Sequence, residues 1–184
     1  LPNMVVMCPA DDVEAKAAVK AAYEYQGPVY MRLGRLAVPL FHEEEGFEFQ
    51  IGKGVKLAEG TDVSLVATGI EVEQALAARE LLAADGISAS VVNIHTIKPL
   101  DEACLDKLFT EDRPVFTLEE HVVAGGFGSA VCEAVAEMGS GCRVHRIGME
   151  DVYSTIVGTQ QYLRGEYRMD DKAICERAMA WLNG

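Results

Sequence analysis

The chain has 184 residues, 49% of them hydrophobic and 24% charged, the balance of one globular domain or of one domain with part of another. Its net charge of −13 argues against a nucleic-acid partner, which needs clustered Lys and Arg against the phosphates. No apolar run approaches the roughly 18 residues of a membrane span.

Five cysteines (Cys8, Cys104, Cys132, Cys142, Cys175) are scattered and form no Cys-x-x-Cys pair. They read as packed thiols in a reducing cytoplasm, and no metal site is expected.

In chain order, Met4–Cys8 is a short apolar run stopped by Pro9 and reads as a strand. Asp11 or Asp12 can cap a helix carrying Val13, Ala17, Ala18, Ala21 and Ala22. Gln26-Gly27-Pro28 ends that helix, and Val29–Leu33 supplies a second strand. Residues 1–36 therefore read as one βαβ unit. A parallel pair needs further strands and a covered opposite face, so the unit is expected to be the remnant of a second α/β domain. Residues 37–50 read as a linker. Its acidic run, Glu43, Glu44 and Glu45, is expected to be solvated, with Phe47 and Phe49 anchoring it to a domain surface.

From Ile51 strands alternate with helices. Val55 and Leu57 mark an edge strand, Val63–Ala67 a buried strand, and residues 71–85 a helix closed by Asp85-Gly86, with Arg79 interrupting its apolar face. Ser90–Ile94 is the next strand, and Pro99-Leu100-Asp101 opens a short helix carrying Leu105 and Leu108. Val115–Leu118, a glycine turn, a helix over 127–138 and a strand near Val144–Ile147 follow. A last helix over 171–182 gathers Ile174, Cys175, Ala178, Trp181 and Leu182 on one face. Residues 51–184 are thus predicted to form a mostly parallel, mixed five-stranded sheet with helices on both faces.

The densest chemistry lies at 118–129, Leu-Glu-Glu-His-Val-Val-Ala-Gly-Gly-Phe-Gly-Ser. Glu119, Glu120 and His121 invite a metal or acid–base reading. The simpler reading is a polar loop at a strand's carboxyl end, in which Glu120 and His121 tie down the turn and the helix after it. Gly125, Gly126 and Gly128 allow a tight strand-to-helix crossover, but they lack the Gly-x-Gly-x-x-Gly spacing and the lysine of a phosphate loop. A ligand loop and a structural loop both stay open here. His95 beside Thr96 suits a capping or interface position, His42 and His145 show no partner pattern, and Tyr23, Tyr25 and Tyr30 are expected to pack.

Four segments in order carry a family resemblance: Met-Val-Val-Met-Cys-Pro-Ala-Asp-Asp at 4–12, Gly-Pro-Val-Tyr-Met-Arg-Leu-Gly-Arg at 27–35, Thr-Ile-Lys-Pro-Leu-Asp at 96–101 and the Leu-Glu-Glu-His to Gly-Gly-Phe-Gly-Ser stretch. Together they resemble the C-terminal section of the transketolase family of thiamine-diphosphate enzymes. The resemblance implies the end of a pyrimidine-binding domain (1–36), a linker and the transketolase C-terminal domain (51–184). It also implies ketol transfer between sugar phosphates, with thiamine diphosphate and magnesium held by a missing N-terminal domain or companion subunit. This section, which shows no Gly-Asp-Gly motif, is expected to bind neither and to be inactive alone. Its expected part is assembly, as a homodimer built through the helices of the second domain, and completion of the substrate channel.

By the same resemblance Arg35 would reach the sugar phosphate, a role that suits a guanidinium fork. Arg32 is a weaker candidate, because an offset of three in a regular strand puts it on the opposite face. Sister enzymes remain alternatives: a deoxyxylulose-phosphate synthase, the beta component of a 2-oxoacid dehydrogenase decarboxylase, or a non-catalytic regulatory or oligomerisation module. Leu-Gly-Arg at 33–35 departs from the Leu-Ser-Arg of many transketolases. The stretch after Gly-Met-Glu-Asp-Val-Tyr at 148–153 diverges from Gly158 onward.

Overall fold

Val63–Ala67 and Ala89–Asn93 have no exposed position, as parallel strands covered on both faces require. The computed structural model describes residues 1–183 apart from Glu44 and Asp112, so the middle of the acidic run lies outside the described residues. The elements run β1 (Val5–Met7), α1 (Asp12–Glu24), β2 (Val29–Met31), β3 (Val55–Ala58), β4 (Val63–Ala67), α2 (Glu71–Ala84) and β5 (Ala89–Asn93). Then come β6 (Thr96–Lys98), α3 (Glu102–Thr110), β7 (Val115–Val122), α4 (Phe127–Glu137), β8 (Val144–Met149), α5 (Gln160–Glu166) and α6 (Asp171–Leu182).

The larger sheet has the order β3-β5-β4-β7-β8, with β3 antiparallel at one edge and the rest parallel. Alternation along the strands separates two cores. Leu65, Val91, Phe116 and Leu118 meet α2 and α6 through Val72, Leu82 and Ile174. Val66, Val92 and Val115 meet α3 and α4 through Leu105, Phe109, Phe127 and Val131. This is the expected mixed five-stranded sheet with helices on both faces. Arg79, which interrupts the apolar face of α2, is partly buried and pairs with Glu80 at 2.6 Å.

The smaller sheet has the order β2-β1-β6. β1 and β2 pair in parallel, as expected, but β6 joins β1 antiparallel, a strand that the sequence did not suggest. Its three residues, ended by Pro99, are too short to show a period of two. The N-terminal unit is therefore stitched to the rest of the chain by a backbone ladder, yet its outer side stays open. Tyr23 on α1 is 89% exposed and Tyr30 on β2 is 56% exposed, so these two tyrosines do not pack as expected.

A buried polar cluster makes the second join. Asp11 caps α1 through the Glu14 N–H at 2.8 Å and also accepts from the N–H groups of Phe41 and His42, which fixes the linker. The His42 ring lies 3.1 Å from Asp11, a partner the sequence did not suggest. Glu14 accepts from the Ala10 N–H and from the Asn93 amide of β5 at 2.8 Å. Phe49 stacks on buried His95, and Phe47 packs on His42, so both aromatics anchor the linker. His145, also without an expected partner, lies between Phe116 and Trp181. Cys8 and Cys175 are buried and the other three thiols half-buried, all of them free.

Candidate functional site

Neighbouring strands β4 and β7 send their chains to opposite faces of the sheet, β4 into α2 and β7 into α4. A crevice opens at the carboxyl ends of such a strand pair, the place where open α/β sheets bind ligands. Here the small sheet closes it. A cavity of about 200 Å³ is lined by Cys8 after β1, Arg32 and Arg35 after β2, Thr68 after β4, Glu120 of β7 and Gln160 of α5. Gly69 sits at the seam with positive φ, and a side chain there would collide with the Cys8 sulfur.

Strand β2 stops at Met31, so the alternation expected to separate Arg32 from Arg35 never applies. Both arginines line the same cavity. Arg32 is anchored, its Nη2 donating to the Glu120 carbonyl at 2.6 Å. Arg35 is exposed and has no hydrogen-bond or ion-pair partner among the described residues. Burial pushes the Cys8 thiol up to about 11 against the pull of Arg32, so it stands in the cavity wall as a neutral group.

Glu119, Glu120 and His121 lie within β7 rather than in a loop after it. The ladder between β7 and β8 slips between Leu118 and Val122, and such an irregularity re-aims the backbone and side chains at a strand end. The side chain that ties down α4 is Glu119, not Glu120 or His121 as the sequence suggested. Its carboxylate accepts from the Phe127 N–H at 2.5 Å and the Gly128 N–H at 2.8 Å. The anion that this helix terminus attracts is thus the chain's own. A Cβ on Gly126 would strike that carboxylate, and one on Gly128 the Thr117 hydroxyl. Gly125 donates its N–H to the Ser129 hydroxyl at 3.0 Å, and exposed His121 turns Nδ1 to the Val122 carbonyl. Glu119, His121, Gly125 and Gly126 also border a second hollow of about 510 Å³ that shares Arg32 and Thr68 with the first.

Glu120 turns its carboxylate to α5, an element the sequence reading missed. Gln160 Nε2 donates to both Glu120 oxygens, at 2.7 and 2.9 Å. One turn later, buried Arg164 places Nε 3.0 Å from Glu71 and 3.7 Å from Glu120, and Nη1 3.8 Å from Glu73. Burial pushes the Glu71 carboxyl up to about 8, opposed by Arg164. Thr159, whose side chain caps α5 by accepting from the Tyr162 N–H, was the available signal.

Among the described residues no group of three or more His, Cys, Asp or Glu could hold a metal. Three buried acids already have partners in the chain: Glu14 on Asn93, Glu71 on Arg164 and Glu119 on α4.

The family profile "Transketolase, C-terminal domain" matches residues 52–174. A protein of Methanocaldococcus jannaschii named as a transketolase C-terminal section is 41% identical over 180 residues, covering 97% of this chain and 56% of its own length. A 1-deoxy-D-xylulose-5-phosphate synthase of Heliobacterium modesticaldum is 41% identical over 168 residues, covering 91% of this chain and 26% of its own. A solved structure described as a split gene transketolase, an inactive beta4 tetramer, superposes with a TM-score of 0.91 at 39% identity. That superposition covers 98% of this chain and 58% of the other. The chain thus spans little more than half the length of the split-type relatives it matches.

Proposed function

The chain belongs to the transketolase family, whose C-terminal domain matches residues 52–174, and on that premise we propose that it is one section of a split enzyme transferring ketol units between sugar phosphates. Its part is to complete the substrate channel and to take the phosphate of the sugar on Arg35. The observation that carries this reading is an exposed guanidinium, without a partner among the described residues, on the wall of a crevice at strand carboxyl ends. A phosphate monoester fits that fork, and Arg32 adds charge from its anchored place. Thiamine diphosphate and magnesium would be held by the remainder of the enzyme, since the acids here have other partners. The split organisation is supported by two relatives of which this chain covers 56% and 58%. Assembly as a homodimer through the helices of residues 51–184 is part of the proposal, with exposed Tyr162 and Leu182 offering apolar contact.

A second reading, deoxyxylulose-phosphate synthase, is supported by equal identity to that enzyme, although this chain covers only 26% of it. The test is an assay of the protein with its companion section for thiamine-diphosphate-dependent transfer from xylulose 5-phosphate to ribose 5-phosphate. Pyruvate and glyceraldehyde 3-phosphate run in parallel. Turnover with the first pair alone is expected, and turnover with the second pair alone moves the assignment to the synthase. Arg35→Ala should raise KM for ribose 5-phosphate about tenfold or more, as the loss of a charge-assisted hydrogen bond implies. KM for unphosphorylated ribose should stay put.

A further inference from the structure

We propose that Gln160 and Glu120 are positioning residues for the phosphate end of the substrate, an inference that rests on the reading of Arg35 above. Among the described residues Glu120 is the one acid lining the cavity that holds both arginines. A free carboxylate there would compete with a phosphate for the two guanidiniums. The geometry shows why it does not. Gln160 donates to both of its oxygens, and Arg164 Nε stands 3.7 Å from one of them. The two polar ends of Glu120 therefore act in opposite senses. Its main-chain carbonyl, at the slipped end of β7, fixes Arg32, while its side chain is drawn off by α5. Arg35 is left as the unpaired cation. In turn α5 is held by the buried contact of Arg164 with Glu71, so the C-terminal domain sets the charge of a pocket whose arginines lie in the N-terminal unit.

Removing the clamp should harm phosphate binding only while Glu120 keeps its charge, a pattern that simple destabilisation does not produce. The experiment uses the protein assembled with its companion section. It measures the Kd of inorganic phosphate by calorimetry and KM for ribose 5-phosphate beside ribose. Gln160→Ala should weaken both phosphate readouts about tenfold and leave kcat and the ribose KM unchanged. Adding Glu120→Gln should restore both to within about twofold of the parent. Glu120→Gln alone, an isosteric change that spares the fold, should bind phosphate at least as tightly as the parent. An equal loss on ribose and ribose 5-phosphate, a double variant no better than Gln160→Ala, or a Glu120→Gln that weakens phosphate would each overturn the inference. Should Arg35→Ala leave phosphate binding untouched, the underlying reading fails. Should Arg35→Ala weaken it while Gln160→Ala does not, only the clamp fails.

Discussion

Glu119 commits both carboxylate oxygens to the first turn of α4, satisfying two N–H groups that a helix otherwise leaves to water. Burial holds its pKa above the ordinary range, while the hydrogen bonds from Gly128 and Phe127 pull it back down. Glu119→Ala leaves those donors buried without an acceptor and should cost about 2–3 kcal/mol. In a chain of this size that is a fall in Tm of about 5–10 °C, readable by calorimetry. Gly128→Ala should be at least as damaging, because the added methyl meets the Thr117 hydroxyl. The neighbouring acid behaves differently: the Glu120 side chain is 22% exposed and faces a cavity, and its isosteric neutral variant should change Tm little. Adjacent glutamates thus divide into one that holds the fold and one that faces the pocket.

Among the elements, α5 is the one whose place depends on charge rather than on apolar area. Its seven residues bury Arg164 among Glu71, Glu73 and Glu120, while Tyr162 stays half exposed. Arg164→Ala takes from Glu71, Glu73 and Glu120 the cation they share among the described residues, and leaving buried acids without that partner should cost about 3 kcal/mol or more. Replacing Arg164 and Glu71 together by Met and Leu should recover much of that loss. Urea unfolding of the single and double variants measures both, and a double variant no better than Arg164→Ala would show that α5 is held by something else. β6 is the counterpart on the backbone side. Ile97 of this three-residue strand packs against the second core, and the strand's ladder to β1 fixes where the crevice meets the arginines.

For the whole molecule, several buried groups shape the dependence of stability on pH, Glu71 and His95 most strongly between pH 4 and 8. The Glu71 carboxyl, up to about 8 from 4.5, keeps a proton in the native state that the unfolded chain has released, so stability falls as pH climbs from 4.5 towards 8. His95, buried against Phe49 and brought down to about 4 from 6.5, is neutral in the native state while the unfolded chain binds a proton. Its contribution is lost as pH falls from 6.5 through 4. Asp11 and Asp101, both lowered by backbone N–H groups, act in the same direction as His95 on acidification. Urea midpoints should therefore be highest near pH 6 and decline towards 8, by roughly the difference these windows imply. Glu71→Gln should flatten the upper limb and leave the lower one intact. A decline towards pH 8 that survives in that variant would remove Glu71 as its cause.

The sequence by itself determined the larger sheet. Val63–Ala67, Val115–Leu118 and the stripe of Ile174, Cys175 and Ala178 encode their layers because burial of apolar side chains follows a local period. It also gave the Asp11 cap and the family motifs, since both lie in contiguous residues. The site was only partly legible. Arg35 could be named, but its sharing of a cavity with Arg32 depends on where β2 ends, and Gln160 meets Glu120 across forty positions of chain. Polar contacts of that range have no periodicity, because a hydrogen bond between distant residues leaves no mark on the neighbours of either. Only the tertiary structure decided them, through the strand order that opens the crevice and the short elements, β6 and α5, that close it.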